Sequence, residues 1–440
     1  MRKLRMLALP VVIVMIAAAC SAKESGDGNG GGNQEENKGT VNVLNALEPT
    51  ENKILQAITD DLITPAVDYK TEFEVADDIA QQIQIRSEGG TLDVVLVPQP
   101  GAVVQQAQDG NAVSLEDMGF DIGELESTFG EYFLSLGEFE GEHYGIPTNI
   151  NLKSMVWYPK DDFDKKGYTV PTTWDEMIAL SDQIKADGST PWCVGFESGG
   201  DTGWPATDWV EDIMLATAGT ETYTKWISHE IPFNDPAVME AGELFGDVMF
   251  ADGYVLGGAD QTPSIAFAAA PAPMFDNPPK CWLHRQASFI NAFFTDFDPK
   301  AKPGVDYDWF PFPGREQQGT LFAGELAVVF SNRPEVKDFL ERFMAEDVQC
   351  AMGSEPGSSR ISPNVNVGPD CYPNPILADA SQVLAEALTG GGAAGFDASD
   401  QMPPQVGSGS FWTEMMGYMQ EGPDSLKTHL DNIEASWPAE

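Results

Sequence analysis

Ten tryptophans occur in this 440-residue chain, and several stand among polar side chains in loop-like text. Trp204 and Trp209 share the stretch GWPATDWVED with Asp208 and Glu211, and Trp282 stands in CWLHRQASF beside His284 and Arg285. Phe411 and Trp412 are adjacent in GSFWTEM, Asn149 and Asn151 alternate in IPTNINLKS, and Gln99 follows the apolar run DVVLV. Aromatic faces are flat apolar platforms, while amides, carboxylates and guanidinium groups form directed hydrogen bonds. A sugar offers both surfaces, C–H faces and a rim of hydroxyls. A site built to bond those hydroxyls rejects analogues that lack them, because its own polar groups would go unpaired. A single tryptophan is more often core than ligand wall, and Trp157, Trp174, Trp192 and Trp309 are assigned to packing or surface. Trp204, Trp209, Trp282 and Trp412 are assigned to ligand contact, because polar partners accompany each of them. Gln99 lies just past the carboxyl end of a strand, where open α/β sheets place ligands.

Catalytic patterns are missing. The chain has no G-x-S-x-G elbow, no P-loop and no H-E-x-x-H. The glycine pattern at Gly26 to Gly32 does not lie between a strand and a helix, so it carries no nucleotide signal. With 69 acidic residues, any chosen carboxylate pair is better explained as solvated surface than as a glycosidase pair. No C-x-x-C spacing occurs and the four histidines are scattered, which argues against zinc. No enzyme activity, metal or cofactor is expected.

These residues need elements to position them. Val41–Leu47 reads as a strand, residues 50–63 as a helix, TEFEV as a strand, residues 77–87 as a helix and DVVLV as a buried parallel strand stopped by prolines. A second series follows residue 150. PTTWDEMIALSDQIKA opens with a capping box from Thr173 to Glu176, TPWCVGFES reads as a strand, and residues 206–217 and 236–250 read as helices. GELAVVF leads into a helix with Asn332 as its N-cap and Pro334 in its first turn. The tail 376–440 reads as helical, broken by the glycine-rich 390–395. Alternating strands and helices imply an α/β sheet covered on both faces.

The start of the chain gives an address. Arg2, Lys3 and Arg5 precede an apolar run that closes with Ala17, Ala18, Ala19 and Cys20. This is the layout of a secretory signal, 1–19, and the run is short for a membrane span. Cys20 after small residues resembles a bacterial lipobox. Residues 20–40 then form a lipidated cysteine and a glycine-rich tether. The mature chain is expected outside the cytoplasmic membrane, held to its outer face through the lipid alone. Cys193, Cys281, Cys350 and Cys371 remain, an even number suited to two disulfides in an oxidising compartment. The shortness of the intervening loop favours Cys350–Cys371. The net charge of −45 repels nucleic acid and anionic lipid. It fits either a saline habitat, where screening relieves self-repulsion, or simply an acidic secreted protein.

Taken together, DVVLVPQPG, GIPTNINLKSMVWYPK, STPWCVGFESG, TGWPATDWVEDIML, HEIPFNDPAV, PPKCWLHRQASFI, DYDWFPFP and GSGSFWTEMMGYM resemble the extracellular solute-binding proteins of bacterial ABC sugar importers, most of all the alpha-glucoside-binding branch. The resemblance runs from about residue 41 to the end. It implies an α/β, two-lobed periplasmic-binding-protein-like fold of type II, with a hinge and a ligand cleft between lobes. Lobe 1 would hold 41–150 plus 316–368, and lobe 2 would hold 151–315 plus 369–440. By position in matching motifs, it implies that Gln99, Asn149, Asn151, Trp204, Asp208, Trp209, Trp282, Arg285 and Trp412 touch sugar. AGEL replaces the family's glycine-rich acidic loop, so Glu325 would take that part, and Glu48 or Glu51 is an open choice in the first-strand loop. The resemblance also supports Cys193–Cys281. The implied partners are a carbohydrate, in particular an alpha-glucoside, and ABC permease subunits, with the protein a monomer. An extracellular sensor or adhesin of the same fold and a surface glycosidase are the competing readings; permease genes nearby, or product release from oligosaccharides, separate them.

Overall fold

In the computed structural model, residues 39–76, 79–87, 92–389 and 393–438 are described. The signal segment, Cys20 and the tether expected at 20–40 lie outside them up to residue 38. Twelve strands form among the described residues: β1 (Thr40–Asn45), β2 (Lys70–Val75), β3 (Val94–Val97), β4 (Glu138–Phe139), β5 (Glu142–His143), β6 (Gly145–Leu152), β7 (Met155–Tyr158), β8 (Thr190–Trp192), β9 (Cys281–Arg285), β10 (Asp308–Pro311), β11 (Thr320–Val329) and β12 (Ala394–Phe396). They make two main sheets and the small β4–β5 hairpin.

In the first sheet β1 pairs in parallel with β2 and β3, and β11 runs antiparallel to β3. Val41, Val43, Val94, Leu96, Ala327 and Val329 pack on one face, and Leu44, Val95, Val97, Leu326 and Val328 on the other. Side chains alternate across a strand, so strands that bury apolar side chains on both sides are covered on both faces, as the continuous apolar text of DVVLV requires. The second sheet has the order β10-β7-β9-β8 and carries the largest apolar cluster, including Trp192, Trp209, Trp226, Phe245, Trp282 and Phe411. Lys153 and Ser154 alone join β6 of the first sheet to β7 of the second. Among the described residues, no helix is long and apolar enough to cross a membrane.

Several local expectations shift. The helix expected over 50–63 is α-helical only for Pro49–Ile58 and then widens into a π-type turn, Thr59–Ile63. The strand expected through TPWCVGFES stops at Trp192. Thr173 caps its helix by accepting from the Glu176 amide at 3.3 Å, and the Glu176 carboxylate reaches back to the Thr173 backbone and, more strongly, to Thr172. Arg333, not Asn332, is the N-cap before Pro334, and the Asn332 amide donates instead to the Asp117 carbonyl. The tail expected with the second lobe supplies β12, which pairs with Thr320–Phe322. β3 covers only Leu326–Val329 on that edge of β11, so the free stretch of the ladder takes another strand.

Both expected disulfides are present. Cys193–Cys281 ties the end of β8 to β9, and Cys350–Cys371 closes a loop of 21 residues.

Candidate functional site

A cavity of about 430 Å³ is lined by β6 and β11 of the first sheet and by helix and loop residues from across the chain, within the usual size range for small-molecule sites. Its walls include Gln99 after β3, Asn149 and Asn151 on β6, Glu325 on β11, and Glu48 and Glu51 where the Pro49–Ile58 helix begins. Trp204 opens the Trp204–Thr217 helix and Trp412 opens the Trp412–Glu421 helix; both line the cavity with Phe267, Phe289 and Phe293. A built-in close approach brings the two tryptophans' helices together. At Gly203, with φ +121°, a Cβ would lie 2.4 Å from the Trp412 carbonyl oxygen, so only glycine fits there.

The polar wall is ordered in part. Asn149 faces Glu325 across the β6–β11 ladder, accepts from the Ile361 amide at 3.1 Å and hydrogen-bonds the Glu325 carboxylate. Arg360 Nη2 donates to Glu325 at 2.9 Å, and the Ser359 hydroxyl donates to Glu51. Asn151 Oδ1 is buried and accepts no hydrogen bond; an unpaired buried acceptor costs about 1–3 kcal/mol, a cost a ligand hydroxyl can remove. Trp412 Nε1 donates to Ser399 Oγ at 3.1 Å, which fixes the plane of its ring. The Trp204 ring packs against Phe267 and Phe289 with centroids 5.1 and 5.9 Å away.

Below the floor lies a buried ion network. Lys153 Nζ donates to Asp208 at 2.9 Å and to Asp397 at 2.5 Å. Arg285 bridges Asp208 at 2.7 Å and Asp212 at 2.6 Å. Ser154 donates to Asp212, and Glu211 accepts from the Ala398 and Ser399 amides and from the Tyr223 hydroxyl. Burial raises Asp208 to about 6 against the pull of Lys153 and Arg285. Burial would raise Asp397 too, but Lys153 in contact holds it below its ordinary value. Burial, then the Asp397 charge, push Glu211 and Asp400 well above their ordinary values. Glu325 is raised by burial against Arg360. Asp208, Glu211 and Asp397 bring oxygens within 4.8 Å of one another, yet Lys153 bonds both aspartates, so the group is an ion cluster of the protein itself.

Of the residues expected at the site, the cavity brings together Gln99, Asn149, Asn151, Trp204, Glu325 and Trp412, with Glu48 and Glu51 both on its wall. Four lie elsewhere. Trp209 is 1 % exposed and packs edge-on against Trp192 and Phe312. Trp282 is 2 % exposed, with Nε1 donating to Ser189 and Tyr168 at its edge. Their polar neighbours in the chain misled, because a helix and a strand turn adjacent residues to different faces. Asp208 and Arg285 are fully buried in the ion network, one layer behind the wall. Lys153, Asp400 and Ser359 line the cavity and were missed. A lysine between two apolar strands, in NLKSMVWY, is the signal that flags Lys153. Nothing local distinguishes Asp400 among so many acids.

A family model described as "Bacterial extracellular solute-binding protein" matches residues 49–349. The osmoprotective compounds-binding protein GgtB of Synechocystis sp. is 35 % identical over 92 % of this chain and 94 % of its own. The alpha-glucosides-binding periplasmic protein AglE of Rhizobium meliloti is 38 % identical over 84 % of this chain and 81 % of its own. The solved bacterial solute receptor AcbH superposes with a TM-score of 0.74 at 17 % identity, covering 90 % of this chain and 98 % of that one. That likeness shows the fold, the two-lobed α/β architecture of type II periplasmic binding proteins.

Proposed function

Since the chain belongs to the bacterial extracellular solute-binding proteins, we propose that it captures an alpha-glucoside, a di- or oligosaccharide, in this cavity and delivers it to the permease of an ABC importer. The observation that carries the reading is the convergence of the Trp204 and Trp412 rings with the amides of Gln99, Asn149 and Asn151 on one cavity. Rings take the sugar's C–H faces and amides its hydroxyls. Each stacking or hydrogen-bond contact contributes about 1 kcal/mol; several together, with burial, reach micromolar affinity, about −8 kcal/mol. The likeness to AglE, an alpha-glucosides-binding protein, supports an alpha-glucoside, and that to GgtB, an osmoprotective compounds-binding protein, supports a solute of osmotic use.

Capture goes by population shift. A sugar resting on one lobe contacts the other only when the cleft narrows, so its extra affinity for the closed form drives closure. In this reading the chain crosses between lobes near Asn149 to Leu152 on β6, with lobe 1 as 41–150 plus 316–368 and lobe 2 as 151–315 plus 369–440. Lipid on Cys20 would keep the monomer beside its permease. Calorimetry with maltose, sucrose and trehalose tests the substrate. Micromolar binding of at least one, with a change in tryptophan fluorescence, is expected; silence across all three removes the alpha-glucoside assignment.

A further inference from the structure

Charge around the cavity is arranged one-sidedly. Among the described residues lining it, Lys153 is the sole basic one. Its ammonium is committed to Asp208 and Asp397, with the Trp204 ring 5.0 Å away. Arg360, behind the wall, gives Nη2 to Glu325, and Arg285 is held by Asp208 and Asp212. Glu48, Glu51 and Asp296 line the same space, and the buried Asn151 Oδ1 accepts from nothing. The wall therefore offers acceptors and negative charge, and its one cation is committed; the Arg360 guanidinium, whose Nη1 has no hydrogen-bond partner, lies behind the wall and not on it.

We propose that the cavity sorts glycosides by charge, taking neutral ones and those with a protonated amine and rejecting those that carry a carboxylate, phosphate or sulfate. This rests on the sugar-binding reading above and deepens it. An anion entering here loses its hydration and finds no countercharge, the costliest form of burial. An ammonium meets carboxylates and aromatic faces, both of which attract it. The net charge of the whole protein, −45, does not replace this local effect: solvent-exposed charges more than about 8 Å away are largely screened at physiological ionic strength.

The test is calorimetry on the full-length protein with trehalose and maltose, their 6-phosphates and their 6-amino-6-deoxy derivatives. Each phosphate is expected to bind at least fivefold more weakly than its neutral parent and each amine no more than fivefold more weakly. A smaller penalty for phosphate, or a larger one for amine, overturns the proposal. The Glu48→Gln/Asp296→Asn variant narrows the phosphate gap if charge causes it and leaves the gap intact if bulk does, which also overturns it. If neither parent binds, the alpha-glucoside assignment falls alone, and quenching decides the charge claim without any sugar. The fluorescence lost in Trp204→Phe, taken as the difference from wild type, should be quenched by acrylamide and caesium but little by iodide, and iodide should gain in the double variant. Equal quenching by iodide and acrylamide, or no gain in the variant, contradicts it.

Discussion

Lys153 Nζ sits 2.5 Å from Asp397 Oδ2, joining the two-residue link between the sheets to the segment just after β12. Both side chains are buried, and Asp208 completes the arrangement at 2.9 Å. Buried ion pairs contribute little net stability while whole, but are costly to break on one side. Lys153→Met is therefore expected to lower stability by about 3–5 kcal/mol, and adding Asp397→Asn should restore part of that loss. Denaturant melts of the two variants check it; a double variant no more stable than the single one would show that the ion pair does not dominate.

Two tryptophans of one helix should behave oppositely. Trp204 is half-buried on the cavity wall, while Trp209 is enclosed by Trp192, Phe245 and Phe312. Trp209→Ala should cost about 3–5 kcal/mol of stability. Trp204→Ala should weaken sugar binding by roughly tenfold, about 1.4 kcal/mol, with a much smaller fall in melting temperature. Calorimetric titration beside a thermal scan separates the two; matched effects in both variants would contradict the placement.

The contrast also shows what the sequence could reveal. The parallel strands were legible because apolar runs such as Val94–Val97 have one stable home, inside a sheet covered on both faces. Gln99 was legible by the same logic, as the residue just past such a strand. Which face of a helix meets ligand was not legible at Trp209, because polar Asp208 and Glu211 beside it answer to buried partners of their own. The ion network escaped notice because its members come from four distant stretches, at Lys153, Asp208 to Asp212, Arg285 and Asp397 to Asp400.

Asp400 gives a pH signature. Burial, then Asp397, raise its folded value well above the usual range, so the folded chain keeps a proton that the unfolded chain releases. The stability from this retained proton is full below the unfolded value and is lost as pH rises toward the folded one. Asp400→Asn keeps the shape and removes the titration. The stability of Asp400→Asn relative to wild type should rise as pH climbs above about 4, by at most about 1.4 kcal/mol per pH unit. Melting curves across that range check it, and a constant difference would mean that Asp400 titrates normally.

The two disulfides should separate stability from binding. Cys193–Cys281 spans 88 residues and lies wholly in the interior, whereas Cys350–Cys371 spans 21 and encloses Gly357 and Ser359 of the cavity wall, with Arg360 behind Glu325. Chain-entropy arguments give about 4.6 kcal/mol for the longer loop and about 3.3 kcal/mol for the shorter. Cys193→Ser/Cys281→Ser should therefore lose more stability. Cys350→Ser/Cys371→Ser should lose more affinity, because the loop that holds Ser359 on Glu51 and Arg360 on Glu325 must then be ordered by the ligand itself. Melting and sugar titration of both double variants decide the matter, and the reverse order of affinity losses would remove the loop from any part in binding.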